Sequence, residues 1–182
     1  MNIEINKLYT VTNLKTKCTY NDPIFIDGDK YLLELYQDNE LITATNKEIC
    51  IVLSGASLKL EYIGIKEQFR GGVLKLLHNN CYNTLKDTPI KNILLKPLSS
   101  VLTMWIYFGF TFMKPIEALR ARLTFINYLK SQNIIKESEI VRYDKMPLKD
   151  MVVLHKEIFK QSNFPNIIEK ELYYTNLSKV VK

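Results

Sequence analysis

The sequence predicts an α/β fold: a mixed, mostly antiparallel central sheet with helices on both faces. Three observations lead there. The first third of the chain alternates apolar and polar residues in short runs, as half-buried strands do. From Leu58 onward the order is strand, loop, helix, strand, helix, strand, and such alternation lays helices over a sheet. No internal repeat, low-complexity tract or Pro/Gly/Ser linker divides the chain, and 182 residues suit one domain, 1–182.

Ile3-Glu4-Ile5-Asn6 alternates and predicts a strand continuing toward Tyr9 and Val11. Tyr31 to Leu35 is a second strand, preceded by the turn signal Asp27-Gly28-Asp29. Leu41 to Thr45 and Ile49 to Leu53 read as a hairpin around Asn46-Lys47. Leu58 to Ile65 is the clearest strand: Leu58, Leu60 and Tyr62 alternate with Lys59 and Glu61, and the alternation shifts by one at Ile63 and Ile65. A helix follows from about Gly71, with Val73, Leu74, Leu77, Cys81 and Leu85 on one face and His78 at its flank. Ile90 to Leu95 is a strand that Pro97 stops. Ser99 or Ser100 caps a helix carrying Val101, Leu102, Trp105 and Ile106. Gly109 ends it and Phe110-Thr111-Phe112 is a strand. Pro115 opens a helix over 115–131 whose apolar face is Ile116, Leu119, Leu123 and Ile126. Met151 to Leu154 fits strand or helix, and 166–180 reads as a helical tail.

The totals exclude several classes. The three cysteines, Cys18, Cys50 and Cys81, are widely spaced, and no CxxC or Cys/His cluster offers a metal-ligand set. Free thiols suit a reducing, cytoplasmic setting. Glu4 near the start, with no apolar run after it, argues against a signal peptide. The longest uncharged stretch, Pro97 to Met113, is shorter than the roughly 20 residues a membrane helix needs and is broken by polar residues. A net charge of +6 favours anionic partners, but the basic residues are scattered. No basic stripe is interleaved with aromatics, so nucleic acid ranks last among partners. Walker, dinucleotide and G-x-S-x-G fingerprints are absent.

The informative unit runs from Leu58 to Gly72: a strand, then Lys66-Glu67-Gln68-Phe69-Arg70-Gly71-Gly72, then a helix. A helix start after glycines offers free N–H groups and the positive end of the dipole to an anion, and Arg70 adds charge. Gln68-Phe69-Arg70-Gly71-Gly72-Val73 resembles the pyrophosphate loop of the GNAT acetyltransferases, Q/R-x-x-G-x-G/A. Leu95 to Phe110, with Trp105-Ile106-Tyr107-Phe108-Gly109-Phe110, looks like the family's strand-helix-GF segment. Lys149 to Lys156 is similar to its closing strand. The helix at 115–131 then looks like an insertion before that strand.

The resemblance implies direct transfer of acetyl from acetyl-coenzyme A to an amine acceptor of unknown identity. It gives cofactor binding to Ile63, Ile65, Gln68, Arg70, Gly71, Gly72 and Val73, through backbone groups at Ile63 and Ile65 and through the loop. It makes Glu61 the general base on the strand before the loop. As a plain strand residue, Glu61 would simply face solvent. The sequence departs from the family at three places: Val73 replaces a Gly or Ala, Leu98 an Asn, and Trp105 the tyrosine that protonates the leaving thiolate. An indole N–H is no practical acid, and Tyr107, two positions on, is the nearby hydroxyl. Those departures also fit an alternative, a catalytically degenerate member acting as a binding module.

Overall fold

The computed structural model describes residues 3–10, 14–22, 29–43, 49–66, 68, 72–98, 101–160, 164, 167, 172 and 176–181. The chain packs as two compact units, Met1–Leu95 with Val180–Lys182, and Lys96–Lys179.

The first unit holds six strands and one long helix: β1 (Leu14–Asp22), β2 (Asp29–Gln37), β3 (Glu40–Leu41), β4 (Ile49–Ser54), β5 (Ser57–Tyr62), α1 (Val73–Leu85) and β6 (Asn92–Leu95). The sheet order is β1-β2-β4-β5-β6, with β3 beside β2. Pairings from β1 through β5 are antiparallel, and β5 pairs with β6 in parallel through the α1 crossover. The sheet is therefore mixed and mostly antiparallel.

Local chemistry accounts for the turns. Asp38 and Asn39 join β2 to β3 with φ of 50° and 67°. Two consecutive left-handed residues make the hairpin turn whose twist matches paired strands, and Asp and Asn tolerate it better than most. Leu41 and Ile49 were expected to lie in partnered strands of one hairpin. Instead both strands pair with β2, whose opposite edge β1 occupies. β3 and β4 are thus two halves of one interrupted strand. The turn expected at Asn46-Lys47 lies outside the described residues. At the N-terminus, the strand expected from Ile3 is a 3-10 turn over Ile5–Lys7. The Lys7 N–H donates to the Glu4 carbonyl at 2.8 Å and the two side chains form an ion pair, contacts that an i,i+3 turn makes and a strand cannot. The Asn80 side chain then donates to the Lys7 and Leu8 carbonyls, tying this turn to α1.

The registers sort the sheet into faces. Residues directly opposite share a face, so Leu33, Leu35, Ile49, Ile51, Leu58, Leu60, Ile93 and Leu95 make one continuous apolar face, and all are buried. Cys50 and Val52 point to the other face with Lys59 and Glu61. Central β4 is buried on both faces from Ile49 to Val52, which explains its unbroken apolar sequence. α1 turns Leu77, His78, Cys81 and Leu85 inward, and Tyr9 is buried beside Cys81.

The second unit contains α2 (Leu102–Tyr107), β7 (Thr111–Phe112), α3 (Pro115–Ser131), α4 (Ile140–Lys145), α5 (Leu148–Leu154), α6 (Lys156–Phe159) and β8 (Leu177–Val180), with β7 and β8 antiparallel. α3 has the bounds expected from its proline start, but not the expected face. Ile116, Leu119 and Leu123 are 54%, 50% and 48% exposed; Ile126 alone of that set is buried. The buried stripe is Ala121, Thr124, Phe125, Tyr128 and Leu129. Rings decide it. Phe125 and Tyr128 stack with Phe159 and Phe164 at centroid distances of 4.6–6.2 Å, and aromatic side chains bury far more area than leucines.

Two further expectations are corrected. Met151 to Lys156, read as resembling a closing strand, is helical, with Met151 and Val152 buried while Val153 and Leu154 are exposed. That two-in, two-out pattern has the period of a helix. The tail expected to be helical over 166–180 ends as β8: Leu177 is buried opposite Phe112, and Ser178 pairs with Thr111. Ile167 and Leu172 are helical. Among the described residues no helix is long and apolar enough to cross a membrane.

Candidate functional site

The site builds from an irregularity in β5. Leu60 pairs with Ile51, but the next partner of β4, Cys50, pairs with Tyr62. Glu61 is the extra residue of a β-bulge. A bulge bends its strand and switches the face of everything after it. The parity shift at Ile63 and Ile65 in the sequence is the same event: both are at least half-buried, although simple alternation from Leu60 would face them outward.

Glu61 keeps company. Its Oε1 lies 3.0 Å from the Lys59 ammonium, and its Oε2 accepts from the buried Cys50 thiol at 3.8 Å. The side chain is 31% exposed. One oxygen is thus held by a cation and the other by a thiol, and the carboxylate still meets solvent. Tyr62, opposite Cys50, joins the same face. Lys59, Cys50 and Tyr62 are the neighbours that sequence reasoning missed. Lys59 was legible as the i−2 residue on the strand, and Tyr62 was hidden by the bulge.

β5 and β6 stop pairing just before the bulge. Their ladder ends at Leu60 with Leu95, and Pro97, which lacks an N–H, follows two residues later. The continuation of β5 is held elsewhere: Ile65 bridges to Thr43, and the Lys66 N–H donates to the Ile42 carbonyl at 2.9 Å. N–H groups alternate between edges along an extended chain, so the Ile65 N–H is directed to the edge away from Thr43.

The loop then enters α1 through Gly72, the N-cap, at φ 79°. Left-handed backbone there suits glycine, and a Cβ added to Gly72 would meet nothing within 4 Å, so the approach to the helix end is open. Among the described residues no side chain caps α1, and its first turn carries no acid. The first bonds inside the helix are made by the Lys75 and Leu76 N–H groups to the Gly72 carbonyl, which leaves Val73 and Leu74 with outward donors. Gln68 is exposed in this loop. Arg70 and Gly71 lie outside the described residues.

The sequence-predicted residues therefore divide. Glu61, Ile63, Ile65, Gln68, Gly72 and Val73 follow one another through β5, its continuation and the start of α1, all in the first unit. Tyr107 ends α2 in the second unit and is 38% exposed. Trp105 is 5% exposed, with its ring edge-on to Phe108 and Phe110 at 5.8 and 5.3 Å. His78 is buried in α1. His155 accepts from or donates to the Tyr143 hydroxyl at 2.8 Å, and burial lowers its pKa. No group of His, Cys, Asp and Glu fit to hold a metal occurs among the described residues.

No family model and no curated protein matches the chain. Among solved structures, ElaA from Escherichia coli is 20% identical over 53% of this chain and 68% of its own, with a TM-score of 0.38. A GNAT family acetyltransferase from Elizabethkingia anophelis, solved with acetyl-CoA bound, is similar at 19% identity over 56% of this chain and 78% of its own, with a TM-score of 0.39.

Proposed function

We propose that the protein is an acetyl-coenzyme A-dependent N-acetyltransferase whose cofactor lies along the continuation of β5 and ends at the start of α1. The observation that carries this reading is the end of the β5–β6 pairing at Leu60, directly before a bulge that carries a glutamate. A strand that loses its neighbour leaves an edge to which an amide-bearing chain can add. The uncapped, acid-free α1 start suits the pyrophosphate, with the open Gly72 permitting its approach. The Q-F-R-G-G loop supplies the resemblance, and Gln68, Arg70, Gly71 and Val73 the remaining contacts.

When bound, the cofactor supplies an activated acetyl thioester. Glu61 takes the proton of the acceptor amine as its nitrogen bonds to the acetyl carbon and the C–S bond breaks. Lys59, 3.0 Å from Oε1, holds one oxygen of Glu61 in place. The N–H groups of Ile63 and Ile65 orient the thioester carbonyl and the amide-bearing arm.

Calorimetric titration with acetyl-coenzyme A and coenzyme A tests the cradle. Micromolar binding supports the reading, and transfer to a panel of amines, lost in Glu61→Gln, completes it. Absence of binding at millimolar ligand rejects it.

A further inference from the structure

A different part of the molecule has the makings of a ligand site. The outer side of α3 opens on a cavity of about 420 Å³ lined by Arg120, Leu123, Asn127, Tyr128 and Ser131, with Ile167 across from them. Residues 120, 123, 127 and 131 recur at helical spacing, so one stripe of α3 forms a whole wall. The floor is packed: Tyr128 is 3% exposed and its ring lies against Phe159 and Phe164, which also contact each other. The volume falls within the range of small-molecule sites, roughly 300–1,000 Å³.

Two features of the wall give the chemistry. Leu123 is 48% exposed and Leu119, beside Arg120, is 50% exposed, so apolar surface remains in water where α3 has a buried face available. Between them stands Arg120, whose guanidinium makes no ion pair among the described residues. The neighbouring Arg122 is by contrast fully engaged, donating to the Tyr143 and Met146 carbonyls. Thr124 and Ser131 spend their hydroxyl protons on α3 carbonyls, which leaves Arg120 and Asn127 as the outward polar groups. An arginine flanked by leucines is matched by a planar anion with an apolar body, because the fork of donors fits a carboxylate and the low-polarity surround strengthens the pair.

We propose that this cavity binds a small amphipathic carboxylic acid, its carboxylate on Arg120 and its apolar body against Leu123, Tyr128 and Ile167. Every residue of the site belongs to the second unit, so it stands independently of the cofactor reading.

The test is NMR titration of the labelled protein with 4-phenylbutyrate, its primary amide and 4-phenylbutylamine. The expected result is saturable shifts at Leu123, Asn127, Tyr128 and Ile167 for the acid, with the amide about tenfold weaker and the amine weaker still. Arg120→Gln should erase the preference for the acid over the amide. Leu123→Trp, a filling substitution at an exposed position that leaves the core alone, should exclude all three. No saturable shift at millimolar acid, equal binding of acid and amide, or shifts confined to residues away from α3 would each overturn the proposal.

Discussion

The two units differ in what organises them. In the first, neighbouring strands of one sheet are set against each other residue by residue, with the register shifting once in the β1–β2 pair and once in the β4–β5 pair. In the second, helices α2 to α6, of 4–17 residues, and one short strand pair meet around a handful of rings among the described residues. A sheet spreads its specification over every alternate residue. A cluster such as Phe125, Tyr128, Phe159 and Phe164 concentrates it in four positions separated widely along the chain. The lesson is that single substitutions should act very unevenly in the second unit and more evenly in the first, where the proposed chemistry instead depends on one bulge in β5.

The sharpest test of that contrast compares two positions on α3. Phe125→Ala should destabilise by about 3–5 kcal/mol, whereas Leu119→Ser should stay within about 0.5 kcal/mol despite its size, because Leu119 is half exposed. Urea denaturation reads both, and equal losses would erase the distinction. On the first unit the largest effect is kinetic. Glu61→Gln should lower kcat for amine acetylation by about 10²–10⁴-fold while coenzyme A affinity, measured calorimetrically, holds. Gly72→Ala comes next: holding alanine at φ 79° costs about 1–2 kcal/mol, so a drop in melting temperature should accompany weaker coenzyme A binding. The smallest effect is on pH dependence. Burial lowers the pKa of His155 from its ordinary value near 6.5, so the unfolded chain takes up that proton first. Stability should be flat above that value and fall as pH drops below it. His155→Gln should remove this part of the slope between neutral and mildly acidic pH, and an unchanged slope would assign it to other groups.

Legibility followed the same divide. Strands β2 and β5 could be read because alternation is a local signal, and β4 and β6 because short Ile- and Leu-rich runs are one too. Even the bulge was written in the sequence, as the shift from Leu60 and Tyr62 to Ile63 and Ile65. What alternation could not say was which strands pair: Leu41 and Ile49 looked like partners and are both neighbours of β2. The turn that decides this is Asp38-Asn39, two consecutive left-handed residues between β2 and β3. In the second unit α3 offered two apolar stripes of similar strength, and only Phe159 and Phe164, distant in sequence, choose between them. α5 is two turns long, too short for its period to separate it from a strand. Of the candidate site, Glu61 and the glycine-led entry to α1 were legible from motif spacing. The thiol of Cys50 was not, because cross-strand neighbours are set by register.

The bulge in β5 also bears on how densely chemistry can be displayed. Along an unbroken strand, neighbours on one face are two residues apart, about 6.6 Å along the chain. With one residue out of step, Glu61 and Tyr62 are consecutive in sequence and yet both belong to the face that carries Lys59. Three polar side chains of different kinds, a base, an acid and a phenol, thus crowd into the length that ordinarily holds two. A change that removed Glu61 would leave plain alternation, with Tyr62 still opposite Cys50 and Ile63 and Ile65 facing as before, whereas losing two residues would reverse the outlook of every side chain that follows.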